Sequence, residues 1–576
     1  MHFPTIDVRP FDDAARGQAD ARLDNSALTL IGDIDDRAGL VEIVGTAGQS
    51  LGDAGLLLRA LAKRGVDALH GLEGRFAGVY RQGEDALLFH DALGLQPLHY
   101  RFHDGALHVH SDALPLADLG GKARIDEKWL GDYLFLLPEE DLRSPFAGVR
   151  RVPAGCAVRV TREGKETLER WWKPSLDPIE TCFDEALRRS EDLLDERLLG
   201  QGGAPLLLSS GVDSNSMLTR LAQAGELGDA ITGSPSPHAD VLTNATTDEY
   251  PLAHAAYGSV GGSGDHHRLR AAPSGLREAI EWAFETFQRP VYNPTNLGWM
   301  DGCHALAKGL GATRLFDGTQ GNFTIGNFGV HPVVAMAAEK RWGDLAARTL
   351  RHRGYGLKTA LRDAPPEWLA RLQIGASASR FAKKAFMRTE SDGGRHAIAR
   401  ARDNLIRLNH DGDAIPHPQR RLHEIILHLD LGVLQRAPLR RHGIELVDPF
   451  LNRRLVEFAL SLPNSIFTDG RYYRKLQLAM LDPRLPEIVR TGGAGGVQGA
   501  DWRAAALRDA GLFKQVIDRI EDGHDAASLF DTRALRKALA EWPASGWDDY
   551  ERIYKYRVAM MRALTGAAFV QWLADR

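Results

Sequence analysis

The sequence is poor in the features that mark several protein classes. Its 576 residues include three cysteines, Cys156, Cys182 and Cys303, none of them in a CxxC pair. That excludes a disulfide framework and a cysteine zinc site, and it suits a reducing, cytoplasmic setting. No window of about 18 apolar residues occurs, so no membrane-spanning helix is expected. The opening MHFPTIDVRP has neither the basic nor the apolar region of a secretory signal. Neither sign of charge dominates: 71 Lys+Arg against 76 Asp+Glu leave −5. This argues against a generic nucleic-acid coat or a strongly basic membrane-surface protein, so neither partner is expected. The nucleotide loop GxxxxGK[ST] is missing, and no internal repeat is found.

What is present is an ordinary globular composition, 44% hydrophobic and 26% charged. At about 100–200 residues per domain the length predicts two to four domains. Up to about residue 170, short apolar runs alternate with turn signals: Leu28–Ile31, Gly78–Tyr80, Ala86–His90, Pro97–Tyr100 and Ala106–His110. RQGEDALLFHD and YRFHDGALHVHSD read as hairpins, and Leu56–Arg64 reads as a helix. Trp171 and Trp172, followed by Pro174 and Pro178, mark a boundary between a domain at 1–172 and one at 180–576. From Phe183 the period becomes helical, with Phe183, Leu187, Leu194 and Leu198 on one face. PLLLSSGVDSNSMLTRLAQAG then reads as strand, small-residue turn and amphipathic helix. Ala230–Thr232 and Arg314–Phe316 read as further strands, and the chain beyond Val330 as mostly helical. TGGAGGVQG, residues 491–499, reads as a flexible loop.

The turn Ser209–Ser214 is the most informative local feature. Backbone N–H groups at a helix N-terminus, beside small side chains, make an anion site, and Ser209 and Ser214 add hydroxyl donors. Asp213 beside an anion implies a cation between carboxylate and phosphate, for which Mg²⁺ is suited. The same residues also fit an ordinary strand-to-helix turn capped by Asp and Ser.

The wider pattern is that of a known family. SSGVDS resembles the SGGxDS pyrophosphate loop of the ATP-pyrophosphatase fold of asparagine synthetases. FAGVYRQGEDALLFHDALGLQPLHYRFHDGALHVHSD resembles their glutaminase-like domain, and RVPAGCAVRV the segment that joins the two domains. VDPFLNRRLVEFALSLP and RLPEIVR resemble their later segments, in the same order. The resemblance implies an α/β chain with two parts. One is an N-terminal Ntn-hydrolase-like αββα sandwich. The other is a C-terminal parallel-sheet ATP-pyrophosphatase domain with a helical end. It implies ATP and Mg²⁺, with Ser209, Ser210, Gly211, Val212, Asp213, Ser214, Gly318 and Thr319 around the nucleotide. Asp213 and Asn322 are then the metal ligands.

Departures from the family pattern sharpen the functional expectation. Glutamine-hydrolysing members carry a nucleophilic cysteine at position 2, whereas this chain has His2 and no cysteine before Cys156. A thiolate is needed for that reaction, so the first domain is expected to lack glutaminase activity. The family segment G-E-G-x-D-E is replaced by Gly318-Thr319-Gln320-Gly321-Asn322, which resembles the synthetase-like proteins of lasso-peptide biosynthesis. The family's lysine after L-P…R is missing; Arg490 and Lys475 are candidate substitutes, or plain solvated charges. Gln498 and Asp501-Trp502 resemble the G-x-Q-x-A-D-W of peptide-cyclising relatives. Glu445 matches a family glutamate that in β-lactam-forming relatives pairs with a tyrosine, here Thr319. Glu445 is a candidate general base or the partner of an arginine such as Arg441. Asp248 and Glu249 either line the nucleotide pocket or suit the positive end of a helix. Asn293, Asn296 and Trp299 mark either the substrate mouth or packing.

The resemblance implies an AMP-forming amide ligase, a lasso-peptide macrolactam synthetase. Its partners would be a precursor peptide, a leader peptidase and a leader-recognition protein. The competing expectations are an ammonia-dependent asparagine synthetase, a β-lactam synthetase, and a catalytically inactive peptide- or nucleotide-binding scaffold.

Overall fold

The structure is a computed structural model. It describes residues 5–8, 18–45, 48, 50–139, 141–236, 247–329, 336, 341–351, 382–403, 430–523 and 527–576. His2 lies outside them, as does much of the chain between 330 and 430.

The first domain begins with β1 (Thr5–Val8), β2 (Gln18–Leu23), β3 (Ser26–Asp36), α1 (Ala38–Val44) and α2 (Asp53–Arg64). Then come β4 (Glu73–Gln82), β5 (Asp85–His90), β6 (His99–His103), β7 (Ala106–His110), α3 (Ala113–Asp118) and α4 (Glu127–Phe135). It ends with β8 (Arg150–Arg151), β9 (Cys156–Val160) and β10 (Glu166–Arg170). A six-stranded sheet runs β10-β9-β5-β4-β3-β2 and a four-stranded one β1-β7-β6-β8. Both expected hairpins form, with Ala77 facing His90 and His99 facing His110. Alternation along each strand decides the layers. Leu30, Tyr80 and Leu87 point to the α2 side, where Leu56, Leu57 and Leu61 are buried. Their neighbours Ile31, Val79 and Leu88 meet Tyr100, Leu107 and Val109 of the second sheet. Helix α3 covers that sheet's far side, which completes the αββα order. Trp171 and Trp172 are packing anchors: both are buried, and Trp172 Nε1 donates to Glu457 at 2.7 Å.

The second domain opens with α5 (Phe183–Leu198), β11 (Leu206–Leu207), α6 (Val212–Ala224), β12 (Ala230–Ser234), α7 (Tyr250–Val260) and β13 (His266–Arg270). It continues with α8 (Leu297–Gly309), β14 (Arg314–Phe316), α9 (Leu431–His442) and β15 (Glu445–Val447), and ends on α10 (Met561–Asp575). The sheet is parallel, in the order β13-β12-β11-β14-β15. The chain moves from β11 outward to β13, then returns to β14 on the other side of β11. Such a reversal opens a crevice at the carboxyl ends of the strands. The turns after β11, β14 and β15 therefore converge there. Helix α6 starts at Gly211 (φ −75°, ψ 156°) and stops at Gly225 (φ 72°), whose N–H returns to Ala222 and Leu221.

A buried charge cluster joins the domains. Arg151 Nη1 lies 2.9 Å from Glu139, which also pairs with Arg289, and Arg289 Nη1 lies 3.4 Å from Asp430. Buried pairs of this kind return little net stability. They do enclose His99, whose Nδ1 donates to the Ser111 carbonyl at 3.0 Å. Burial, only partly opposed by Asp430, pulls the His99 pKa down from 6.5 to about 4. Between these values the unfolded chain takes up a proton that the folded one refuses. Stability is thus complete above pH 6.5 and falls by on the order of 3 kcal/mol as the pH drops to 4. Melting temperatures measured from pH 7 to pH 4 should fall more steeply for the native protein than for His99→Gln.

Candidate active site

Four turns line one cleft. The first follows β11 and is built by small polar residues. The Ser209 N–H donates to Ser214 Oγ at 3.0 Å, and the Gly211 N–H to Ser209 Oγ at 3.0 Å. Asn215 Nδ2 donates to the Ser209 and Gly211 carbonyls at 3.0 and 2.8 Å. Ser209, Asp213 and Ser214 face the cleft. The other expected loop residues do not line it. Val212 is buried in the core around α6, and Gly211 caps the helix. Ser210 is buried, and its N–H and Oγ donate to Glu249 Oε1 at 3.1 and 2.7 Å. Glu249 also lines the cleft, so the acidic pair before α7 divides. Asp248 accepts from Ser234 at 2.8 Å and pairs with Arg268.

The second turn follows β14. Gly318 lies so close to α6 that a Cβ there would sit 2.6 Å from Met217 Cε. A Cβ on Gly321 would come within 2.3 Å of Asp213 Oδ1, and one on Gly326 within 2.7 Å. These glycines let the segment fold around Asp213. Asp213 Oδ1 accepts from Arg474 Nη2 at 2.6 Å. Asn322 faces the cleft, and its Oδ1 is buried without a hydrogen-bond partner. A carboxylate and an unpaired amide oxygen are hard oxygen donors, which suit Mg²⁺. No group of three His, Cys, Asp or Glu side chains able to hold a metal occurs among the described residues.

Asp317 directly follows β14 and also faces the cleft. It accepts from the Thr319 N–H at 3.1 Å and from Thr319 Oγ1 at 3.0 Å. Thr319 Oγ1 lies 3.5 Å from Asp448 Oδ2, and Asp448 accepts from the N–H groups of Gln320 and Phe450, each at 3.0 Å. Burial raises the pKa of Asp317, against the bonds from Thr319. Burial and then the charge of Asp317 raise that of Asp448 well above the usual range. Two carboxyls so placed titrate as a coupled pair, each harder to ionise than a free carboxyl.

The remaining walls come from β12 and from residues 497–501. Thr232, Gly233, Ser234 and Trp299 line the cleft together with Val497–Asp501. The cleft has a cavity volume of about 210 Å³ and opens to solvent at its mouth.

Comparisons with known proteins agree with this layout. A glutamine amidotransferase domain matches residues 37–172, and an asparagine synthase domain matches residues 186–573. The chain belongs to the asparagine synthase family. It is 28% identical over 231 residues to the carboxyethyl-arginine beta-lactam-synthase of Streptomyces clavuligerus, across 39% of this chain and 43% of that protein. The chain thus spans less than half the length of this curated relative. Among solved structures, glutamine phosphoribosylpyrophosphate amidotransferase from B. subtilis, complexed with ADP and GMP, overlaps 45% of this chain and 49% of its own, at 14% identity and a TM-score of 0.20. A structure of the allosteric regulatory enzyme of purine biosynthesis overlaps 43% and 60%, also at 14% and 0.20. At such scores the fold rests on the family matches and on the sheets described above.

In this asparagine synthase-family chain, three expected catalytic residues lie away from the cleft. Glu445 starts β15 opposite Arg314 at the start of β14, so it sits at the amino ends of the strands. It lies 3.8 Å from Arg75 and 3.4 Å from Arg314, whereas Arg441 pairs with Asp301 at 2.7 Å. Lys475 turns toward Asp469 at 3.7 Å and over the Phe183 ring at 5.6 Å. Arg490 is exposed, and its Nε donates to the Leu485 carbonyl at 3.0 Å. Arg474 is the cation that pairs with Asp213. It is held at φ 56° and also donates to Gln477 Oε1 at 2.6 Å. Asp317 and Asp448 were missed as site residues, although each directly follows a strand and Asp448 stands just before Pro-Phe-Leu. Glu445→Gln should therefore leave turnover within about twofold of the native protein and cost about 1 kcal/mol or less in stability. Steady-state rates and a melting curve check both.

Proposed function

We propose that this protein is an ATP-dependent, AMP-forming amide ligase that closes a macrolactam in a ribosomal precursor peptide of the lasso class. It would join an Asp or Glu side-chain carboxylate to the peptide's α-amine. The observation that carries this reading is the position of Val497–Asp501, part of the segment that resembles the cyclising relatives. It lines the same cleft as Ser209, Asp213 and Asp317.

In the proposed reaction the side-chain carboxylate attacks the α-phosphorus of ATP and pyrophosphate leaves. The α-amine then attacks the acyl carbon of the mixed anhydride, losing a proton, and AMP departs. Ser209, Ser214 and the N-terminus of α6 receive the pyrophosphate. Asp213 and Asn322 would hold Mg²⁺, which when bound neutralises phosphate charge. Arg474 adds a fixed cation beside Asp213. The ionised member of the Asp317–Asp448 pair accepts the amine proton, and its raised pKa makes it the stronger base. Proximity favours an amine already on the substrate, since ring closure avoids the cost of collecting a second molecule. The first domain supplies no thiolate for amide hydrolysis from residues 37–172, whose single cysteine, Cys156, is buried in β9 with its thiol pushed up by burial. A leader peptidase and a leader-recognition protein are the proposed partners, and the cytoplasm the proposed setting. No helix among the described residues is long and apolar enough to cross a membrane.

The test combines purified protein, ATP, Mg²⁺ and a leader-free precursor peptide encoded beside the gene. Loss of one water from the peptide, with AMP and pyrophosphate in equal amounts, is the expected result. The 28% identical relative favours a second reading, closure of a small β-amino acid into a β-lactam. Turnover of such an acid, with the peptide unchanged, would replace the first reading by the second.

A further inference from the structure

Residues 491–499 contain glycine at 492, 493, 495, 496 and 499, and glycine resists being held in one conformation. Yet Val497–Asp501 form a wall of the cleft. Three tethers account for this. Asn296 Nδ2 donates to Gln498 Oε1 at 3.2 Å, and the Ser236 N–H donates to Asp501 Oδ2 at 2.8 Å. The third is Arg557, from the far end of the chain. Its Nη2 donates to the Gln498 carbonyl, and its Nε and Nη2 both lie 3.4 Å from Thr295 Oγ1 on the adjoining wall.

Two features adapt Arg557 to this place. It sits in a π-helical stretch, Tyr554–Met560, that interrupts the helix leading into α10. A π-turn inserts a residue and so turns the side chains of that stretch to a different face. Gly499 (φ 56°) lets the wall approach: a Cβ there would lie 2.8 Å from the Thr295 carbonyl and 3.2 Å from Arg557 Nη2. Burial lowers the Arg557 pKa to about 10, against the pull of Asp501. The guanidinium is thus spent on a backbone carbonyl and a hydroxyl of two cleft walls, where only a planar fork of donors reaches both.

We propose that Arg557 is a positioning residue that pins the glycine-rich wall over the activated acyl group and so sets how much of it becomes amide rather than being lost to water. This rests on the amide-ligase reading above. An acyl-adenylate survives to meet an amine only where water is kept out.

The test compares Arg557→Met and Arg557→Lys with the native protein. For Arg557→Met, pyrophosphate exchange should stay within about threefold, while amide formed per AMP released falls about tenfold and unchanged peptide accumulates. Guanidinium at millimolar concentration should restore part of that ratio, and Arg557→Lys should lie between. Hydrogen exchange of the segment 491–501 should quicken at least tenfold in Arg557→Met, with the sheet unaffected. An unchanged amide-to-AMP ratio, or an equal fall in exchange and product, would overturn the proposal. Hydrogen exchange keeps the two readings apart. If the native protein makes no amide, the ligase reading fails, and unaltered exchange of 491–501 would separately sink the pinning role.

Discussion

Asp213→Asn should reduce ATP–pyrophosphate exchange by about 10³-fold or more while the protein still folds. Asp213 is the one carboxylate in the turn after β11, and Gly321 and Gly326 close around it. Asn keeps the shape and one oxygen but loses the charge that holds a divalent ion. Loss of several kcal/mol of charge stabilisation in phosphoryl chemistry corresponds to that factor. The change also leaves Arg474 beside a neutral oxygen, although Arg474 keeps its bond to Gln477. A small fall in melting temperature is therefore expected beside a large fall in exchange. Nucleotide binding should become weaker and insensitive to Mg²⁺, because Ser209, Ser214 and Arg474 remain. Isotope exchange between pyrophosphate and ATP measures the first effect, and calorimetry with and without Mg²⁺ the second. Exchange that survives within tenfold would remove Asp213 from the metal site.

Asp317→Asn should divide the two half-reactions the other way. Asn still accepts from Thr319 at one oxygen, so the turn keeps its form. The proton acceptor is lost, which costs about 10²–10⁴ in the step it serves. Pyrophosphate exchange should persist within about fivefold while amide formation falls by at least 10². AMP should still appear, because water then consumes the activated acyl group. Following AMP and peptide mass in one reaction distinguishes this from general damage. A parallel fall in exchange would place Asp317 in the first half-reaction instead, as a ligand of the cation.

Much of the scaffold was legible because its signals are local. The unit from Leu206 to Ala224 announces itself by an apolar run, a turn of small residues and a helix stopped by Gly225. Arg314–Phe316 was expected as a strand and forms one, and both hairpins of the first domain carry their own turn residues. The strands β13 and β15 escaped notice. His266–Arg270 is a polar edge strand without alternation, and Glu445–Val447 is three residues long. Neither has a period of its own to read, and both take their place from parallel neighbours. Missing β15 had a direct consequence. Its first residue, Glu445, reads from the sequence as a candidate base or as the partner of an arginine; it pairs with Arg75 and Arg314, while Asp448, just beyond the carboxyl end of β15, accepts from the Gln320 N–H in the turn after β14.

The sequence by itself determined the family, the two-part organisation and the turn after β11 that lines the cleft, since each is written in contiguous residues. Only the tertiary structure decided which charges meet. Asp317 and Asp448 are 131 residues apart and feel each other's charge because adjacent parallel strands end side by side. Arg474 rather than Lys475 reaches Asp213, because a residue held at φ 56° breaks the register that neighbours in sequence would otherwise share. Arg557 reaches a glycine-rich wall some 60 residues earlier through a π-turn. Contacts of this kind depend on backbone direction over long loops, and residue type and spacing along the chain do not encode it.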